Sequence, residues 1–198
     1  MLIDGTNYTL LKDYDTGKYK YLTFVGKTTY LKERVNLIII QPCERANKSA
    51  LKTNLGLIVV TGICAGISAA STFLHGRPAN KRGEDHKFFT EFVRTYMDPI
   101  LQQQQSLMHR RTWTEWLYRH VRCGLSHNFA ITTGGIEYQV PVKKYVVVGP
   151  HGPEMSPRRF ARDFTQGFSK YLADVVRDGK NGALGSRFES RFKQIFHD

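Results

Sequence analysis

The stretch from Leu55 to Leu74, LGLIVVTGICAGISAASTFL, carries no charged residue and constrains the fold more than any other segment of the chain. About twenty apolar residues suffice for a helix to span a bilayer, and Gly62-x-x-x-Gly66 resembles a membrane dimerisation motif. The segment is also rich in Gly, Ser, Thr and Ala, lacks the Trp and Tyr that mark membrane interfaces, and has no second copy in the chain. That composition predicts a central helix buried on all sides by its neighbours. Its small residues then let another helix approach closely, within one bundle or across a dimer contact.

The remaining segments supply the neighbours. Phe88, Phe89, Phe92, Val93, Tyr96 and Met97 recur with helical spacing before Asp98-Pro99 ends or kinks the run. Thr112-x-x-Glu115 has the form of a capping box and opens a helix whose apolar stripe is Trp113, Trp116, Leu117, Val121, Gly124 and Leu125. Ser156-Pro157 marks another start, followed by Phe160, Phe164, Phe168, Tyr171, Leu172, Val175 and Val176, with Gly179 as the stop. A last short helix from about Ser186 carries Phe188, Phe192, Ile195 and Phe196.

Two regions read as β-structure. Tyr8 to Asp13 and Tyr19 to Phe24 flank Asp15-Thr16-Gly17-Lys18 as an N-terminal hairpin. Phe129 to Thr132, the turn Thr133-Gly134-Gly135, and the alternating Ile136, Tyr138, Val140 and Val142 read as a second hairpin, extended by Tyr145 to Val148, with the loop Gly149 to Pro153 after it. Pro42 is expected to break whatever Val35 to Ile40 forms, and Asn47 or Ser49 to start the long apolar helix, which stops near His75-Gly76. The expected architecture is therefore mainly α: one domain over residues 1–198, with a hairpin at 1–30, a helical core at 31–127, a β insertion at 128–150 and C-terminal helices at 156–197. A chain of 198 residues is long enough to bury such a core.

Twenty-nine Lys and Arg against seventeen Asp and Glu give a formal charge of +12, spread along the whole chain. This balance favours a polyanionic partner, nucleic acid before a membrane surface, although a generally basic surface gives the same count. Cys43, Cys64 and Cys123 form no C-x-x-C pair and read as reduced thiols of a cytoplasmic protein, Cys64 and Cys123 within buried helix. The opening MLIDGTNYTL has neither a basic n-region nor an apolar h-region, so no secretory signal is expected.

Several chemistries find no support. Val25-Gly26-Lys27-Thr28-Thr29 contains the end of a phosphate loop, but Tyr21 stands where the first glycine is needed to wrap a phosphate. Seven histidines are scattered without H-x-x-x-H, H-E-x-x-H or Cys/His clustering, so no metal site is expected. Neither G-x-S-x-G nor GxGxxG occurs.

What remains is the basic helix ending in Tyr118-Arg119-His120-Val121-Arg122-Cys123-Gly124-Leu125-Ser126-His127. On an ideal helix Arg119, Arg122 and Ser126 fall within about 60° of one another, opposite Leu117 and Gly124, and His120 and His127 point nearly together. Arg122 and His127 lie about 140° apart, too far to share one substrate on a straight helix. They converge if the helix ends at Gly124 to Ser126, or if two copies of the chain build one cleft.

Arg122-x4-His127 at a helix end, after a long apolar helix and the aromatic Phe88 to Met97 helix, resembles the HEPN superfamily (higher eukaryotes and prokaryotes nucleotide-binding) over roughly residues 50–130. The resemblance implies an all-α bundle, dimeric, with the Arg-x4-His motifs of two protomers in one cleft, and metal-independent endoribonuclease activity of toxin or host-defence type without a cofactor. It implies Arg122 as the group that stabilises the phosphate and His127 as acid/base, with Arg119, His120, Ser126 and Asn128 as the RNA-binding neighbours. RNA is the implied substrate, and an antitoxin or effector protein a further partner. Two positions depart from the family pattern: Cys123, where active members often carry a polar residue, and Phe129, where some toxin members carry a tyrosine.

Other readings stand beside this one. The same bundle could bind RNA or nucleotide without cleaving it, or serve as a dimeric interaction protein. His127 fits equally a histidine favoured by the helix C-terminal dipole. Arg110-Arg111, Lys143-Lys144 and Arg158-Arg159 suit either phosphate contacts or solvated surface.

Overall fold

The computed structural model describes residues 22–48, 52–97, 112–128, 130–136, 146–149 and 152–196. Among them six helices form a mainly α bundle. Helix α1 runs through Phe24–Val35, a π-helical turn Asn36–Ile40 and Gln41–Lys48. Helix α2 is Lys52–His75, α3 Glu84–Tyr96, and α4 comprises Trp113–Trp116, a π-helical turn Leu117–Arg122 and Cys123–Asn128. Helices α5, Pro157–Asp178, and α6, Ala183–Phe196, complete the bundle.

The long apolar helix α2 is the axis, packed against α1, α3, α5 and α6. Val59, Val60, Ile63 and Ile67 are completely buried. The two glycines of its Gly-x-x-x-Gly pair serve these intramolecular contacts. A Cβ on Gly66 would stand 2.7 Å from the Phe164 ring of α5, and one on Gly62 3.3 Å from Cys43 Sγ of α1. Burial on all sides, however, does not hold. Ile58 is 61% and Leu57 38% exposed, and Thr61, Ala65 and Ala69 continue an exposed stripe along the helix. Leu55–His75 is long and apolar enough to cross a membrane, and about half of it, 56% of the most apolar window, is buried inside the protein.

Most of the predicted N-terminal hairpin lies outside the described residues, but its last part is helix. Thr23 caps α1, its Oγ1 accepting from the Gly26 N–H at 3.1 Å, and residues 24–30 follow as helix because Phe24, Tyr30 and Leu31 find apolar partners in the core. Phe24 meets Phe188 edge-to-face at 5.9 Å, and Tyr30 meets Phe192 at 5.8 Å. Pro42 does not break α1. The π turn ahead of it, closed by the Gln41 N–H on the Asn36 carbonyl, widens the helix where a proline lacks a donor and crowds the preceding turn. Asn47 consequently lies inside α1 instead of capping α2, and Ser49 lies outside the described residues.

The helix ends follow the sequence closely elsewhere. Gly76 (φ 71°) follows α2, and Gly179 (φ 73°) follows α5, whose N-cap Ser156 accepts from the Arg159 N–H at 3.4 Å. Helix α6 begins at Ala183, earlier than Ser186. Val176 and Ile195, read as core, are 43% and 42% exposed.

The β-structure differs from expectation in its pairing. Strands β1 (Gly135–Ile136), β2 (Val146–Gly149) and β3 (Gly152–Met155) form one sheet in the order β1-β3-β2. The hairpin is β2 with β3, antiparallel from Val146 opposite Met155 to Gly149 opposite Gly152, while β1 pairs parallel to β3. Gly149 and Gly152 to Pro153, read as loop, are therefore strand ends. Residues 130–134 are not a strand because they are tied to α4: Trp116 Nε1 donates to the Thr133 carbonyl at 2.9 Å and the Thr132 N–H to the His120 carbonyl at 3.1 Å.

Candidate functional site

Helix α4 starts as half of a capping box. Thr112 Oγ1 accepts from the Glu115 N–H at 3.3 Å, but the Glu115 carboxylate turns outward to His86 Nε2 at 3.0 Å and Arg119 Nε at 3.2 Å. Trp113 and Trp116 stack at 4.6 Å, and with Leu117, Val121 and Leu125 they bury one side of the helix. The π turn, in which the Cys123 N–H reaches the Tyr118 carbonyl, broadens that side so that Tyr118 is buried too.

Gly124 belongs to the same side. The chain returns directly across it, with the Ala130 N–H on the Gly124 carbonyl at 3.4 Å. A Cβ at this position would lie 2.4 Å from the Ala130 carbonyl oxygen. The Cys-Gly-Leu interruption of the basic face is thus the place where the polypeptide folds back on its own helix.

Arg122 lies beside this junction. Its side chain is 23% exposed, its guanidinium stands 5.4 Å from the Tyr118 ring, and Nη1 lies 3.6 Å from Asp85 Oδ2 on α3 and 3.9 Å from Cys123 Sγ. The Tyr118 hydroxyl donates to the same Asp85 oxygen. Burial raises the Asp85 pKa, but the Tyr118 hydroxyl, the His86 backbone N–H and the Arg122 charge outweigh it and hold the carboxyl below its ordinary value. Tyr118 is displaced upward, first by burial and then by its bond to Asp85. Asp85 thus remains an anion that aims Arg122.

Arg122 and Ser126 line one cleft of about 300 Å³ against Thr61, Cys64, Ala65 and Ser68 of α2. The Cys64 thiol at its floor is pushed up to about 12 by burial, against the lowering charge of Arg122, which keeps it protonated and chemically quiet. Cys64 is buried as expected, whereas Cys123 is only half-buried, and all three cysteines are free thiols.

The other site residues disperse. Arg119 is 60% exposed and engaged with Glu115, and His120 turns to the returning chain, its Nδ1 2.9 Å from Thr132 Oγ1. His127 and Asn128 are exposed on the last turn. The helix does not end at Gly124 to Ser126 but continues regularly through Asn128, so the expected swing of His127 toward Arg122 does not occur within one chain. Phe129 lies outside the described residues.

Sequence reasoning missed Asp85, His86 and Tyr118. The acidic start of α3, Glu84-Asp85-His86, carries no motif that marks a site, and no spacing rule connects it to residues more than thirty positions later. Among the described residues no group of three or more His, Cys, Asp or Glu is arranged to hold a metal. No protein-family model, curated protein or solved structure matches this chain.

Proposed function

We propose that the protein is a metal-independent endoribonuclease of toxin or defence type, dimeric and cytoplasmic, that cleaves single-stranded RNA by attack of the RNA's own 2′-hydroxyl. The observation that carries this reading is Arg122, a guanidinium partly exposed at a cleft and oriented by Asp85 and Tyr118. An arginine so fixed presents a fork of donors to a phosphate whose charge grows in the transition state. The 2′-oxygen bonds to phosphorus as the bond to the 5′-oxygen breaks, leaving a 2′,3′-cyclic phosphate and a free 5′-hydroxyl. A histidine takes the proton from the attacking hydroxyl or returns one to the leaving oxygen, and His127, exposed on the last turn of α4, is the residue we assign to this task.

Since the final segment of α4, Cys123–Asn128, stays α-helical, Arg122 and His127 of one chain do not converge, and the reading requires a second copy to supply the histidine. The exposed stripe Leu57, Ile58, Thr61 and Ala65 borders the Arg122 cleft and offers that copy an apolar seat.

The test is incubation of purified protein with single-stranded RNA in EDTA. Cleavage to cyclic-phosphate ends, lost in both Arg122→Ala and His127→Ala, is expected. Cleavage that both variants retain removes these residues from the mechanism. An Arg122 already paired with Asp85 also suits a non-catalytic RNA-binding module, for which the same experiment gives salt-dependent binding and no products.

A further inference from the structure

A second cleft lies away from Arg122, between the last turn of α1 and the first turns of α5. It has a volume of about 800 Å³, and Glu44, Asn47, Lys48, Arg158, Arg162 and Thr165 line it. Arg158 is held at its edge by donating Nη2 to the Asn47 carbonyl at 3.2 Å, which occupies one of the several donors of the guanidinium. Arg162 is 45% exposed and lies 4.0 Å from Asp163, beyond hydrogen-bond reach. Lys48 is exposed. Three cations thus face one carboxylate, Glu44.

Asn47 is the second and independent observation. The residue is only 8% exposed, and its Oδ1 is buried without a hydrogen-bond partner. Folds rarely leave a buried acceptor unmet, because its water is lost and nothing replaces it. An amide oxygen accepts only, so what completes this site is a donor, a hydroxyl or an amine. The cations ask in addition for an anion. Among the described residues the lining carries amide, hydroxyl, carboxylate and cationic groups but no aromatic ring, which suits hydroxyl-bearing ligands better than a stacked base.

We propose that this cleft binds a phosphorylated polyol. The phosphate meets Arg158, Arg162 and Lys48, and the adjoining hydroxyls meet Glu44 and, once the Asn47 side chain turns its amide into the cleft, Asn47 Oδ1. The ribose–phosphate unit of RNA and a free sugar phosphate share this chemistry. Only the RNA source rests on the reading of the Arg122 cleft.

Calorimetric titration of the full chain with ribose 5-phosphate, inorganic phosphate and a short single-stranded oligoribonucleotide tests it. Ribose 5-phosphate or the oligoribonucleotide is expected to bind more tightly than inorganic phosphate, with the first indicating a free metabolite and the second an RNA groove. Arg162→Glu, a change at an exposed side chain, is expected to weaken binding by about tenfold or more. Asn47→Leu is expected to weaken it while raising the melting temperature, because it removes the unmet acceptor. Arg122→Ala is expected to leave ribose 5-phosphate binding unchanged, so that failure of the ribonuclease reading leaves this result standing. Binding of neither sugar ligand, equal binding of inorganic phosphate, or full affinity in folded Arg162→Glu overturns the proposal.

Discussion

Lys27 and Arg122 each stand in a fragment of a known functional motif, and each pairs with a carboxylate from a distant part of the chain. Lys27 Nζ lies 2.5 Å from Glu189 Oε1, with side chains only 7% and 10% exposed, and 5.5 Å from the Phe192 ring. Arg122 lies 3.6 Å from Asp85, with side chains 23% and 44% exposed and a cleft alongside. The first pair is sealed between α1 and α6, and its lysine has no path to a ligand. The second is open, with donors left over for an incoming phosphate. A motif fragment is therefore decided by its enclosure, a property of the neighbours and not of the fragment.

The largest effect that could break this contrast is at Lys27. Lys27→Met leaves the buried Glu189 carboxylate with only the exposed Lys193, 4.0 Å away, as a partner and is expected to cost about 3 kcal/mol in urea denaturation. The double variant with Glu189→Leu is expected to recover most of it. A double variant no more stable than the single one would mean that the pair is not closed.

Gly124→Ala comes next, because its Cβ meets a backbone carbonyl that cannot turn aside. A loss of about 1–3 kcal/mol in the same measurement is expected. Wild-type stability would show that the returning chain gives way easily and that the junction beside Arg122 is loose.

Asp85→Asn sharpens the comparison from the open side. Solvent screening at this pair limits its contribution to at most about 1 kcal/mol. RNA binding, read as a filter-binding curve against salt, is expected to change more than stability does, since Arg122 loses the anion that orients it. A stability loss as large as that of Lys27→Met would erase the distinction.

The smallest effect concerns a pair of intermediate enclosure, His75 Nε2 and Glu91 at 3.5 Å, with His75 stacked on Phe88 at 3.6 Å. Burial is the main cause that lowers the His75 pKa below its ordinary 6.5. The unfolded chain then binds the proton first, so stability is full above pH 6.5 and declines as pH falls below it. His75→Gln is expected to flatten that slope in thermal melts between pH 5 and 7. An unchanged slope would assign it to other groups.

Much of the bundle was legible because burial repeats with helical period. The phenylalanines of α3 and α5, Phe188 and Phe192 of α6 and the tryptophans of α4 are core residues, as their spacing demands. The caps Thr112 and Ser156 and the stops Gly76 and Gly179 act locally and are read locally. The misreadings have nonlocal causes. Phe24 alternates like a strand residue but follows a Thr23 cap into a helix, Pro42 is tolerated because a π turn precedes it, and the β1 partner is β3 because Trp116 and His120 hold the intervening chain.

At the site, Arg122 and Ser126 share a cleft as helical arithmetic placed them, whereas His127 stays apart because the helix does not end early. Asp85 was invisible, since only packing of α3 on α4 brings it to Arg122.

By itself the sequence determined a helical bundle around Leu55 to Leu74, because apolar periodicity and capping are encoded within a few residues. Which cations would be sealed and which left open was decided by the tertiary structure, since enclosure depends on side chains more than a hundred positions away, as Glu189 is from Lys27. The unmet Asn47 amide has the same origin. It is an ordinary helical residue until α5 folds over it.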